Sequence, residues 1–172
     1  MRYGVDIHEL VFPKYAKMAI KINTNGSITL LMTPSFTPGK MPEGVRPGQI
    51  PKGLKIFDYD KTIAISLTYS DCISIIEYAA SKLPTVEVNV YRINNKFNKK
   101  VTFTWMPDEE DPGKAKFATI FAQQREKEQE VKFNIPLSFN NLDEFALLLS
   151  SYVNNYAAIK LFCGAESQND VF

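Results

Sequence analysis

Lysines recur beside aromatic rings along this chain. Lys14 and Lys17 flank Tyr15, and Lys55 and Lys61 bracket Phe57 and Tyr59. Lys96, Lys99 and Lys100 surround Phe97, while Lys114 and Lys116 precede Phe117 and Phe121. Ammonium groups hold phosphates, and aromatic faces stack on bases for about 1–3 kcal/mol per base. The mixture is the chemistry of a surface for single-stranded nucleic acid. It also has a plainer use, because Phe and Tyr on strands fill cores and lysines at turns keep sheet edges soluble. The stretch NNKFNKKVTFTW, 94–105, reads as both. Val101, Phe103 and Trp105 alternate on one strand face, which we assign to the core. Lys96, Phe97, Lys99 and Lys100 fall at the hairpin tip and strand start, where they either hold nucleic acid or only keep the turn soluble.

Other chemistries are poorly supplied. His8 is the single histidine, in an N-terminal arm where a solvated side chain is expected, so a Ser-His or Cys-His nucleophile lacks its base. Cys72 falls on the apolar face of a helix, as a small core residue. No Gly-rich phosphate loop precedes a helix. Asp58 and Asp60 would share a strand face, and PDEEDPG at 107–113 concentrates four acids. Either group could bind a hard cation weakly, but a solvated turn accounts for them. The expectation is a non-enzyme without cofactor or metal. A metal-dependent enzyme using Asp58 and Asp60 is the remote alternative.

The composition suits one folded domain. The chain has 172 residues, 45% hydrophobic and 12% aromatic, with a formal charge of +1. The charge is uneven: residues 1–61 carry nine Lys/Arg against five Asp/Glu, and residues 134–172 carry one Lys against four acids. Two cysteines make no disulfide framework, so a reducing compartment is expected. No apolar run is long enough for a signal peptide or a membrane span. A soluble cytoplasmic protein is expected, in the host cytoplasm if viral.

The elements that must position these residues follow from periodicity. Residues 17–23 and 27–33 alternate around Asn25-Gly26, a tight hairpin turn. Strands at 54–59 and 62–68 follow, and Ser70-Asp71 opens a helix that Pro84 ends. Four more strands (86–93, 99–106, 115–124, 129–137) precede a second helix at 141–158, capped from Asn140-Asn141. The order is ββββα twice. This predicts an α+β fold with two antiparallel four-stranded sheets, each followed by a helix. We divide the chain into an arm at 1–13, one domain at 14–163 and an acidic tail at 164–172. Residues 33–53 hold five of the ten prolines and four of the eight glycines, a loop that neither ladder nor helix could hold.

On a helical wheel the second helix is apolar over half its circumference, and Leu147 falls among its polar residues. That arc is wider than one sheet face covers. It predicts a homo-oligomer through Phe145, Leu147, Leu148 and Tyr152, with a monomer as the alternative. The tail GAESQNDVF ends in Phe172. It is similar to the acidic, Phe-ended tails by which bacterial single-strand-binding proteins recruit replication and repair enzymes. That likeness implies a docking peptide for replication or recombination proteins, with a frayed terminus as the alternative.

Three segments carry a family resemblance. FDYDKTIAISLTYSD resembles the Whirly-family stretch in which an aromatic-Asp-aromatic element and a lysine precede a Phe-Ala-Leu-Ser-x-Thr strand. Phe57, Asp58, Tyr59 and Lys61 match the first part, and Ile63, Ala64, Ile65, Ser66 and Thr68 the strand. VKFNIPLSFNNLDEFALLL is similar to the family's closing strand and helix at Ile135-Pro136 and Glu144-Phe145-Ala146. KYAKMAIKI is similar to its lysine-bearing first strand at Lys17, Ala19 and Ile20. The resemblance covers about residues 14–162, with the 33–53 loop as an addition. It implies two roughly perpendicular sheets, helices packed into a tetramer and a sheet-edge surface for single-stranded DNA. The implied role is in replication, recombination, repair or transcription, in a phage or bacterial member. Kinetoplastid guide-RNA-binding proteins look similar in fold, so RNA is the alternative ligand, and a structural or assembly protein the alternative class.

Overall fold

The computed structural model describes residues 5–12, 14–46, 53–127 and 129–168. The first sheet has strand order β1-β2-β3-β4: β1 (Val5–Phe12), β2 (Ala16–Ile22), β3 (Ile28–Pro34) and β4 (Ile63–Leu67). Helix α1 (Tyr69–Ser81) follows. The second sheet repeats the meander with β5 (Glu87–Ile93), β6 (Asn98–Pro107), β7 (Ala115–Glu126) and β8 (Gln129–Leu137). Helices α2 (Phe139–Asn154) and α3 (Tyr156–Gln168) close the chain. Every pairing is antiparallel. Two four-stranded sheets, each followed by a helix, are the architecture that the periodicity predicts.

The membership of the first sheet differs from expectation. Its outer strand is the segment VDIHELVF, expected as an arm, with Leu10 facing Met18 and Phe12 facing Ala16 on the core side. Residues 54–59 form no strand. They touch the end of β3 through one bridge, Ser35 to Phe57, and continue into a 3-10 turn at Tyr59–Lys61. Ile56 and Phe57, adjacent in sequence, are both buried with Val45 in a small cluster of their own. A strand would send them to opposite faces. The described ends of the Pro/Gly segment are thus held together as the neck of a lobe, by hydrogen bonds from the Phe36 amide to Ile56 O and from the Asp58 amide to Pro34 O.

One core joins both sheets and the helices. Val101, Phe103 and Trp105 of β6 are buried in it, as their alternation predicts. Tyr78 of α1 stacks on Trp105 at 4.9 Å, and Phe145 of α2 lies 6.1 Å from Phe103. Offset ring pairs of this kind contribute about 0.5–1.5 kcal/mol beyond their buried area. Helix α1 starts about two residues earlier than Ser70-Asp71 suggests. Thr68 is its N-cap, in a capping box with Asp71. Ser138 caps α2 by accepting from the Asn141 amide, where Asn140-Asn141 were expected to cap.

The 141–158 helix is two helices, broken at Asn155. Gly164 does not stop the second, since α3 runs to Gln168. Helices α2 and α3 clamp the first hairpin. Tyr152 donates its hydroxyl to Gly26 O at 2.9 Å, and the Lys160 ammonium reaches Asn25 O at 3.2 Å. Gly26 has φ +73°, and a Cβ there would meet Ile159 at 3.3 Å, so the turn needs glycine twice over. Phe172 lies outside the described residues.

Candidate nucleic-acid interface

The second sheet has one face in the core and one face outward. Register places Tyr91, Lys100, Gln123 and Lys132 in one row across its four strands on the outward face. Ile93, Asn98, Arg125 and Glu130 make the next row toward one end, and Asn89, Thr102, Phe121 and Asn134 the next row inward. The Lys100 ammonium lies 5.4 Å from the Tyr91 ring centre. A surface of cations, rings and amides thus covers the side opposite the helices, with Glu130 on it accepting from Gln123 at 2.6 Å and paired with Lys132 at 3.1 Å.

At the end of that face two hairpins meet. The β5–β6 turn is held by Asn94, whose side-chain oxygen accepts from the amides of Lys96 and Phe97 at 2.8 and 2.9 Å. Pairing of Asn98 with Arg125 brings the β7–β8 turn alongside. Together they form a concavity of about 330 Å³ lined by Asn94, Asn95, Lys96, Phe97, Asn98, Arg125 and Lys127. Its lining holds three cations and, among the described residues, no carboxylate.

The expected site residues separate into groups. Lys96 and Lys100 belong to this side, and Phe97 lines the concavity at its end. Lys99 points to the other side: its ammonium donates to Ala64 O on the edge of β4 at 2.7 Å and sits 4.4 Å from the Phe97 ring centre. Burial lowers its pKa, and Glu126 offsets only part of that. Its place is a bridge between the sheets, whereas the hairpin-tip position suggested a phosphate contact.

Lys17 is on the outward face of the first sheet, ion-paired with Glu9 and 5.8 Å from the exposed Tyr59 ring. Burial pulls the Lys17 ammonium down, but its hydrogen bond and attraction to Glu9 more than offset this, and its pKa is raised. Lys14 and Lys55 are exposed, and Tyr15 is half-buried in the β1–β2 turn. Lys61 pairs with Asp58 at 2.9 Å. Phe57 is buried in the lobe cluster and cannot stack on a base as placed. Asp58 and Asp60 share no strand face, because a 3-10 turn replaces the strand.

Lys114 and Lys116 lie at the far end of the second sheet. The ten-residue β6 separates them from the 94–98 tip by about 30 Å at roughly 3.3 Å per residue. They pair with Asp111 and Glu109 at 2.9 and 3.3 Å. Asp108 in the same turn accepts from the Glu110 and Asp111 amides, which lower its pKa.

The oligomer residues also divide. Phe145 and Tyr152 are buried in this chain's own core, and Leu148 packs partly against it. Leu147 is 71% exposed, and Leu161 and Phe162 of α3 are 76% and 77% exposed. His8 is half-buried on β1, with its Nε2 3.1 Å from the Glu144 carboxylate of α2, where a solvated arm was expected.

Sequence reading missed Arg125, Lys127, Lys132 and Tyr91. The segment QQREKEQEVK alternates charge sign and reads as a soluble turn. Only strand register shows its cations beside Lys96 and Lys100.

No protein-family model matches the sequence, and no curated protein matches it. Solved structures do match. WHY1 from Arabidopsis thaliana is 14% identical with TM-score 0.59, over 93% of this chain and 93% of that one. WHY3 from the same plant is 13% identical with TM-score 0.60, over 99% and 97%. The fold is Whirly-like. A guideRNA-binding protein complex bound to a gRNA is 10% identical with TM-score 0.51, over 91% and 93%. At such identities the likeness is one of fold, and the Whirly-like strand and helix order spans nearly the whole chain.

Proposed function

We propose that this chain binds single-stranded nucleic acid, DNA foremost, with little sequence preference. The observation that carries the reading is the concavity where Lys96, Arg125 and Lys127 converge from two hairpins around Phe97 and three asparagines. Clustered cations concentrate phosphate, and the described lining residues include no carboxylate. A ring beside them offers a stacking face to any base. The row Tyr91, Lys100, Gln123 and Lys132 continues the track across the sheet. The Whirly-like fold supports the reading, and the guideRNA-binding complex of similar fold makes RNA the second ligand to test. Replication, recombination, repair or transcription is the setting for such a binder. Self-association through Leu147, Leu161 and Phe162, as a tetramer, would multiply the contacts along one strand.

The test is fluorescence anisotropy with labelled single-stranded DNA, RNA and duplex DNA at several salt concentrations. Single strands should bind more tightly than duplex, with affinity falling as salt rises. The triple variant Lys96→Ala, Arg125→Ala, Lys127→Ala should lower affinity and flatten the salt dependence while keeping the fold. Unchanged binding by that variant rejects the site.

A further inference from the structure

A second cleft, of about 310 Å³, lies where the neck of the Pro/Gly lobe meets the edge strand β8. Its composition differs from the hairpin concavity. Phe36 forms part of its wall and is 56% exposed. Two ion pairs line it, Asp58 with Lys61 at 2.9 Å and Glu130 with Lys132 at 3.1 Å. Lys132 also ends the row that begins at Tyr91, so the cleft opens where the outward track of the second sheet stops.

Carboxylates repel phosphate. Two of them in a cleft on a strand's path make that cleft a place for a base edge, with the backbone passing outside. A carboxylate oxygen accepts from an amine, and an ammonium donates to a carbonyl or ring nitrogen. Lys61 lies 2.9 Å from Oδ2 of Asp58, whose side chain is 14% exposed along the cleft wall. Cytosine presents an N4 amine beside its N3 and O2 acceptors, and a carboxylate accepting from that amine is a standard reading contact. Thymine has no amine to give.

We propose, on the basis of the single-strand reading above, that this cleft takes one base that carries an exocyclic amine, with cytosine as the probe. Phe36 stacks on the ring, Asp58 accepts from the exocyclic amine, and a lysine donates to the acceptor edge. The preference sits on a binder that otherwise ignores sequence, because the remaining track holds phosphate and unselected bases. Phe36 belongs to the lobe, so the preference comes from the 33–53 segment.

The experiment compares an all-thymine oligonucleotide with the same oligonucleotide carrying one central cytosine, by anisotropy at fixed salt. Wild type should bind the cytosine-bearing strand about tenfold more tightly, within the range for one good base contact. Phe36→Ala should weaken both strands and bring their ratio close to one. Asp58→Asn should also bring the ratio close to one, because its amide can donate to thymine O4. Circular dichroism checks that both variants are folded. Equal binding of the two strands by wild type overturns the proposal, as does a preference that survives both substitutions. The all-thymine arm tests the underlying reading separately: if that strand does not bind, single-strand binding falls and the cleft with it.

Discussion

Two adjacent lysines on β6 should behave in opposite ways. Lys99 faces the first sheet and donates to Ala64 O at 2.7 Å, while Lys100 faces outward beside Tyr91. A hydrogen bond from a charged donor contributes about 1.5–3 kcal/mol. The ammonium over Phe97 adds about 0.5–1 kcal/mol. The desolvation that lowers the Lys99 pKa offsets part of both. Lys99→Ala should therefore cost about 2 kcal/mol, or roughly 4–8 °C in Tm for a chain of this length. Lys99→Met, which keeps the apolar stem, should recover a fraction of the loss. Lys100→Ala should stay within about 0.5 kcal/mol of wild type. On nucleic acid the order reverses. Loss of Lys100 should reduce the magnitude of the salt slope by about 0.7, the share of one phosphate contact on a single strand. Loss of Lys99 should leave the slope unchanged wherever the protein is folded. Urea melts and salt titrations on the three variants decide it. A Lys99→Ala protein as stable as wild type, with a smaller salt slope, would refute the assignment of this lysine to the inter-sheet bridge.

Leu147→Asp puts a charge into the exposed apolar set on α2 and α3, so light scattering should show smaller particles than wild type with the melting curve preserved; a wild type that is monomeric at micromolar concentration ends the oligomer proposal. Gly26→Ala forces an L side chain to φ +73° against Ile159 and should cost about 1–2 kcal/mol in a urea melt; a neutral effect would show that the α3 clamp is loose. Burial, then the charge of Asp71, pushes the Cys72 thiol up to about 12, and burial pushes Tyr78 up and Tyr152 up to about 12. A raised acid favours the folded state while it is neutral, so this stability is whole below pH 9 and is lost as pH climbs toward 12, by up to about 1.4 kcal/mol per pH unit for Cys72 alone. Cys72→Ala should flatten that slope, and a slope identical to wild type would mean that the thiol does not titrate with unfolding.

The second sheet is legible in sequence because each strand alternates cleanly and runs long enough for the period to show. The first sheet is only half legible. In VDIHELVF, a histidine and two acids interrupt the apolar signal, and the core-side set of His8, Leu10 and Phe12 is recognisable only once β2 supplies its partner. LKIFDY offers a false alternation, and its buried residues serve a lobe cluster that no period predicts. The helical wheel correctly leaves Leu147 outside, yet it cannot divide a wide arc between own core and partner. Phe145 and Tyr152 sit deep because β6 and the Asn25-Gly26 turn reach up to meet them. Site residues divide the same way. Lys96, Phe97 and Lys100 follow from local pattern, whereas Arg125 and Lys127 depend on register, and the direction of Lys99 depends on a strand 35 residues away.

Competition between a labelled single-stranded oligonucleotide and unlabelled single-stranded or duplex DNA, repeated across a salt series, tests the central claim most directly. The account predicts that the single strand competes more strongly than duplex at every salt. It also predicts a linear fall of log K with log salt that becomes shallower when Lys96, Arg125 and Lys127 are replaced by alanine. Stronger competition by duplex, or a salt slope that ignores those three cations, would contradict it.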